Sequence, residues 1–271
     1  MYDVYDINND INTCISSVVT EIQLNKVQYQ IIKMVPKILI VASVFISLTS
    51  ALSAPFITPC KASDEECIVQ NTIKSIPFFA DGIPDLAVKP LDPLFFKNVD
   101  SSSPNLKFIL SDITFKGLKG CKPIKVQRIP EKSNVFLKIS CPLTVDGQYE
   151  MEGQLLVVKI AGKGKVNAYL PNLEVSVTLD MIDKEKDGQK YWRIKKFTHS
   201  FDVTGDSKLE FQGLLQDNQV LSQAANDLIK NSSNEVIKEI AAKLVENVIT
   251  YIVGEFNHFF GKVPVSELAL D

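Results

Sequence analysis

The chain has 271 residues, 45% of them hydrophobic and 23% charged, with a formal net charge of −3, the balance of a nearly neutral globular protein of one large or two small domains. Of 29 basic residues only Arg128 and Arg193 are arginine, and no basic run is interleaved with aromatic residues; nucleic-acid recognition leans on arginine, so that class of partner is excluded. His199 and His258 stand far apart in sequence and no zinc-type spacing occurs, so neither a metal nor another cofactor is expected.

Residues 34–53, MVPKILIVASVFISLTSALS, place Lys37 before an apolar run and then small residues, the pattern of a secretory signal peptide. The apolar run falls short of the about twenty residues that a bilayer span requires. Pro55 disfavours cleavage after Ala54, which leaves Ser53 or Ala51. Ahead of the signal, residues 1–33 form a polar extension. Met34 is read as the true start, with a type II membrane anchor as the alternative. The mature chain, residues 54–271, is then a single exported domain without stable membrane insertion.

Cysteine usage agrees with export. Apart from Cys14 in the extension, the chain holds Cys60, Cys67, Cys121 and Cys141, an even set that reads as two disulfides. Cys60 and Cys67 close a small N-terminal loop. Cys121 and Cys141 flank two β-rich runs around a turn centred on residue 131, so a hairpin brings the two sulfurs together across its strands.

Ser63 and Glu66 have capping-box spacing and open a helix through about residue 75. The passage after it carries Pro77, Pro84, Pro90 and Pro93, which forbid a long helix. It is apolar for a loop and should pack on the core. From residue 106 to 211 partly alternating segments follow one another as strands. One hairpin turns at Asp187-Gly188, with Val175, Val177 and Leu179 on one face and Trp192 and Ile194 able to oppose them. No helical pattern interrupts these strands, so the sheet is expected to be antiparallel. A helix over residues 219–230 leads to Asn231-Ser232-Ser233, an acceptor sequence for N-glycosylation at Asn231.

The last long element spans residues 232–263. Ile237, Ile240, Leu244, Val248, Ile252, Phe256, Phe259 and Val263 keep a three-to-four-residue step, while Ser232 and Glu235 form a second capping box. Tyr251, Val253 and Phe260 lie off that stripe, so the helix is apolar on more than one face and must be wrapped. The expected architecture is α+β: an elongated body in which a highly curved antiparallel sheet wraps the C-terminal helix, leaving an internal hydrophobic tunnel.

Two motifs invite enzymatic readings. Gly205-Asp206-Ser207 looks like a serine-hydrolase block, but it lies between strands and has no matching Asp and His late in the chain, so a turn is expected. Gly162-Lys163-Gly164 lacks the rest of a phosphate loop and reads as a bulge or bend in a strand. With no nucleophile, base and orienting group in any recognisable pattern, the chain reads as a non-enzyme. His258 is expected to be a packed or rim histidine.

The residues also carry a resemblance. Cys60 and Cys67 at their spacing, Gly82-Ile83-Pro84, residues 90–94 (PLDPL), Gly147 and Tyr149, Gly162 and Gly164, the SKLEFQGLL segment and Lys262-Val263-Pro264 follow one another in an order that resembles the insect takeout and haemolymph juvenile-hormone-binding family. The resemblance covers about residues 54–271. It implies one module similar to those of the tubular lipid-binding proteins, secreted into insect haemolymph and carrying a small elongated hydrophobic ligand: juvenile hormone, a fatty acid or another terpenoid. In the hormone carriers a second disulfide ties a strand to the long helix; here that helix has no cysteine and the extra pair is Cys121 and Cys141, which places the chain nearer the takeout branch. The tunnel lining is expected to include Phe78, Phe79, Val177, Trp192, Ile240, Leu244, Val248, Ile252 and Phe256. Tyr149, Tyr169 and Tyr251 are candidates for polar contacts with the guest. The alternative is a secreted interaction module with a filled core that acts through its surface on a protein receptor.

Overall fold

The computed structural model describes residues 54–271; the expected signal peptide, the extension before it and Cys14 lie outside that range. Seven antiparallel strands form one sheet: β1 (Leu94–Asp100), β2 (Leu106–Lys116), β3 (Lys122–Ile129), β4 (Asn134–Leu155), β5 (Val158–Lys186), β6 (Gln189–Thr204) and β7 (Lys208–Phe211). The main path runs β1-β2-β4-β5-β6, with β3 sharing β4 and β7 sharing β5. Strands β4 and β5 are 22 and 29 residues long. Straight strands of that length would reach roughly 70 and 95 Å, so these must bend. They bend together where Cys141 pairs with Leu173 and Leu143 with Leu170, leaving Pro142 opposite Pro171 and Asn172. Neither proline has an N–H to give the ladder, so both are tolerated at the shift in register.

Three of the sequence expectations about helices change. Helix α1 (Glu65–Asp81) is capped by Asp64, whose side chain accepts the Cys67 amide at 3.0 Å, and not by Ser63. It also runs through Pro77 instead of ending near residue 75. A proline there costs a helical hydrogen bond, but the extra turn buries Phe79 and Ala80, and Phe79 meets Phe256 and Phe259 at centroid distances of 4.6 and 5.2 Å. Helix α2 (Gln219–Asn231) falls where expected, with Asn218 as its cap.

The third change is in the long helix, which breaks into α3 (Ser233–Ile240) and α4 (Ala242–Phe260). Ser101, from the β1–β2 connection, donates its buried hydroxyl to the Ile240 carbonyl at 2.8 Å. A side chain inserted into the helical ladder is a recognised cause of such a break. Ser232 stands at the N-cap of α3 but makes no side-chain capping bond, so the second capping box is not formed.

The proline-rich passage packs as expected, with Leu86, Val88 and Leu91 buried, but its end is strand β1 rather than loop. In the β5–β6 hairpin Asp187-Gly188 makes the turn; Val177 faces His199 and Leu179 faces Phe197, while Trp192 and Ile194 pair with Asp183 and Met181. Gly162 and Gly164 pair without a register shift opposite Met151 and Tyr149, so of the expected bulge or bend no bulge forms. Their role is clearance: a Cβ on Gly164 would stand 2.3 Å from the Gln212 carbonyl oxygen, where the chain crosses the strand. Gly205 forms the expected turn between β6 and β7.

Helix α4 is fastened to the two outer strands of the main path. On β6, Asn257 accepts the Ile194 amide at 2.8 Å and donates to the Ile194 carbonyl at 3.2 Å, standing in for a neighbouring strand. On β1, Phe96 packs edge-on against Tyr251 at 5.5 Å. The helix thereby lies across the open side of a curled sheet.

Candidate ligand cavity

Helix α4 meets the central strands only in part, with Ile249 clustering with Val177, Leu179 and Met181 of β5. Between them lies a cavity of about 460 Å³, within the range of small-molecule sites. Leu244, Val248, Ile252 and Phe256 repeat every four residues along one face of α4 and line it. All four line the cavity and are only half-buried, because each borders open space on one side. Val135, Leu137 and Ile139 on β4 and Val175 on β5 are half-buried for the same reason. Lining residues run from Ile237 on α3 to Phe260 at the end of α4, about 35 Å of helix at 1.5 Å per residue. The space is elongated, and its wall is almost wholly aliphatic and aromatic.

The exceptions cluster at the α1 end. Asn71, Thr72, Ser75 and Arg128 are the polar side chains on the wall. The Thr72 and Ser75 hydroxyls donate to the Ile68 and Asn71 carbonyls of their own helix at 2.9 and 2.6 Å. Asn71 is engaged with Thr58 and the Cys60 sulfur. Arg128 is the one charged group on the wall among the described residues. Its guanidinium lies 5.4 Å from the Trp192 ring centroid, donates to the Cys60 carbonyl at 3.3 Å and pairs with Asp271. A hydrogen bond from the Ala62 amide, and then the Arg128 guanidinium, hold the Asp271 carboxyl below the usual carboxylate range. Parallel bridging of Cys60 and Ala269 ties the last residues of the chain to this corner.

Of the nine expected lining residues, Phe79, Val177, Trp192, Ile240, Leu244, Val248, Ile252 and Phe256 are on the wall. Phe78 is not: it is 46% exposed and stacks on Phe56 at 4.1 Å, since its neighbour Phe79 takes the inward face of α1. None of the three tyrosines is on the wall. Tyr149 is buried, donates to the Gln212 carbonyl at 2.9 Å and has its phenol pushed up to about 12 by burial. Tyr169 is 47% exposed, and Tyr251 packs on β1 with its phenol raised by burial and then by Glu255. His258 is half-exposed, 3.3 Å from Glu255, and also off the wall.

Both expected disulfides are present, Cys60–Cys67 and Cys121–Cys141. Asn231 is exposed at the end of α2, whereas the Ser233 hydroxyl of its acceptor sequence is buried and donates to the Ile229 carbonyl. Sequence reasoning missed Arg128 as a site residue. The available signal was its rarity: arginine is scarce here, and this one stands in a hairpin whose other basic residues, Lys122, Lys125, Lys132 and Lys138, are all lysine.

A helix laid in a curled antiparallel sheet over an elongated apolar cavity defines a class of hydrophobic-pocket proteins. The chain belongs to the haemolymph juvenile hormone binding protein family, whose model matches residues 38–270. It is similar to takeout 1 of Epiphyas postvittana, with 25% identity and a TM-score of 0.74 over 79% of this chain and 100% of that one. The circadian clock-controlled protein daywake of Drosophila melanogaster is 21% identical over 222 residues, 77% of this chain and 85% of the relative. The juvenile hormone-binding protein of Manduca sexta is 23% identical over 168 residues, 59% of this chain and 70% of that protein.

Proposed function

We propose that the protein is a secreted extracellular carrier that takes up a small elongated hydrophobic molecule, such as juvenile hormone, a fatty acid or another terpenoid. The observation that carries this reading is the cavity of about 460 Å³ beside α4, walled by apolar side chains except at one end. A guest that buries about 250–300 Å² of apolar surface there gains about 6–8 kcal/mol at roughly 25 cal/mol per Å², before ordering costs. Membership of the family and the two disulfides support the extracellular setting. Among the described residues no helix is long and apolar enough to cross a membrane.

The test is organic-solvent extraction of the purified protein followed by mass spectrometry, together with titration of an apolar fluorescent probe. Co-purified lipid and saturable probe uptake are expected. A clean extract with no probe uptake would overturn the carrier and leave the surface-acting interaction module.

A further inference from the structure

The charged corner of an otherwise greasy wall needs a reason. Twenty-seven of the 29 basic residues are lysine, and lysine could have served as a simple surface charge. The wall instead carries an arginine whose side chain is only 12% exposed. A guanidinium presents a planar fork of five N–H donors that matches a carboxylate, and it stacks on aromatic rings. Only its Nη2 has hydrogen-bond partners among the described residues, the Cys60 carbonyl and Asp271, while Trp192 lies against it. Donor capacity therefore remains on a group that lines the cavity.

The present counter-ion is placed so that it can leave. Asp271 is 42% exposed on the solvent side of the pair, against 12% for Arg128. Rotation of its side chain gives up the Ala62 amide at 2.9 Å along with the guanidinium, and returns that carboxylate to water, which can replace the lost hydrogen bonds. Arg128 cannot be left without an anion so cheaply, since an uncompensated buried charge is strongly disfavoured. An incoming carboxylate that replaces Asp271 keeps the guanidinium paired throughout, and the apolar chain behind it can pass Trp192 and run along Phe256, Ile252 and Val248.

We propose that Arg128 is the specificity-determining residue of the cavity: it receives the carboxylate end of a long-chain acid, and Asp271 holds the place until the acid arrives. This rests on the carrier reading and narrows it to guests with one anionic end. A purely structural role for the pair, pinning residues 268–271 to Cys60, makes the opposite forecast for the Asp271 variant. It would weaken all guests alike, whereas displacement of a place-holder strengthens acids alone.

The experiment compares palmitic acid with its methyl ester as displacers of N-phenyl-1-naphthylamine from wild type, Arg128→Met and Asp271→Asn. Wild type should prefer the acid by about tenfold, the scale of a charge-assisted hydrogen bond. Arg128→Met should abolish the preference by weakening the acid far more than the ester, and Asp271→Asn should tighten the acid several-fold relative to the ester. Equal affinities in wild type, or an acid preference that survives in Arg128→Met, would overturn the assignment. If Arg128→Met does not fold, Asp271→Asn decides: no change, or equal weakening of both lipids, refutes the place-holder. Failure of the probe and both lipids to bind wild type would instead bring down the carrier reading, and this proposal with it.

Discussion

Val248, on α4, lies near the middle of the lined stretch that runs from Ile237 on α3 to Phe260 at the end of α4. Replacing it with tryptophan adds seven heavy atoms, roughly 90 Å³ of side chain, to a cavity of about 460 Å³. The indole enters space that no other side chain fills, so the usual penalty for overpacking is largely avoided and the melting temperature should move by no more than a few degrees. The guest is then confined to one half of the lumen. Losing half of a contribution of about 7 kcal/mol weakens binding by about 400-fold. The assay is displacement of an apolar fluorescent probe, with circular dichroism melting as the check on the fold. Leu244→Trp, one turn away on the same face, should act alike. Phe78→Ala should leave affinity unchanged, since that ring stacks on Phe56 outside the wall. Undiminished binding in a correctly folded Val248→Trp protein would show that the guest does not lie along α4.

Three further outcomes follow from the packing. Gly164→Ala should be severely destabilising, because its Cβ would stand 2.3 Å from a backbone oxygen of Gln212; expression as a normally melting protein would refute the clearance argument. Replacing Cys121 and Cys141 together with alanine opens a bridge across a separation of 20 residues, which should cost about 3 kcal/mol. For a domain of this size that lowers the melting temperature by about 6–12 °C in calorimetry. Tyr149 should be the last tyrosine to ionise, since burial raises its phenol from 10.0 to about 12. Its folded value exceeds its unfolded one, so its contribution to stability is complete below pH 10 and is lost as pH rises through about 12. Tyr149→Phe should remove that slope and the late absorbance step at alkaline pH, at a cost of about 1 kcal/mol for the bond to Gln212.

The part of this protein legible in its sequence is the part set by local periodicity. The stripe at Leu244, Val248, Ile252 and Phe256 identifies the inward face of α4, and the midpoint arithmetic of Cys121 and Cys141 finds the β3–β4 hairpin. What escaped depends on partners far along the chain. The helix breaks after Ile240 because a serine 139 residues earlier takes its carbonyl. Helix α1 continues past Pro77 because Phe79 finds Phe256 and Phe259, which no rule about proline contains. Tyr149 has the outline of a polar handle, yet its hydroxyl is satisfied by the backbone at Gln212. Arg128 counts in composition only as evidence against nucleic acid, and its place on the wall emerges once β3 is laid beside Cys60 and Trp192.

The hollow itself follows from how the helix is held. A helix with its side chains is about 10–12 Å across, and one packed into the bottom of a curled sheet would fill the curve. Here α4 is tied instead to the rims. Asn257 completes the edge of β6 through two hydrogen bonds to Ile194, and Tyr251 meets Phe96 on β1. Those strands are the two ends of the main path β1-β2-β4-β5-β6, so the helix spans the opening and meets the centre only in part, where Ile249 joins Val177, Leu179 and Met181 of β5. Val135, Leu137, Ile139 and Val175 on the central strands are left facing a gap. An unfilled apolar space of this kind lowers stability, at about 24 cal/mol for each Å³ left empty. The rim contacts must outweigh that loss to keep the helix raised, and an apolar guest recovers much of it on entry. Binding energy and the cost of remaining hollow therefore have one structural origin, the fastening of α4 to β1 and β6.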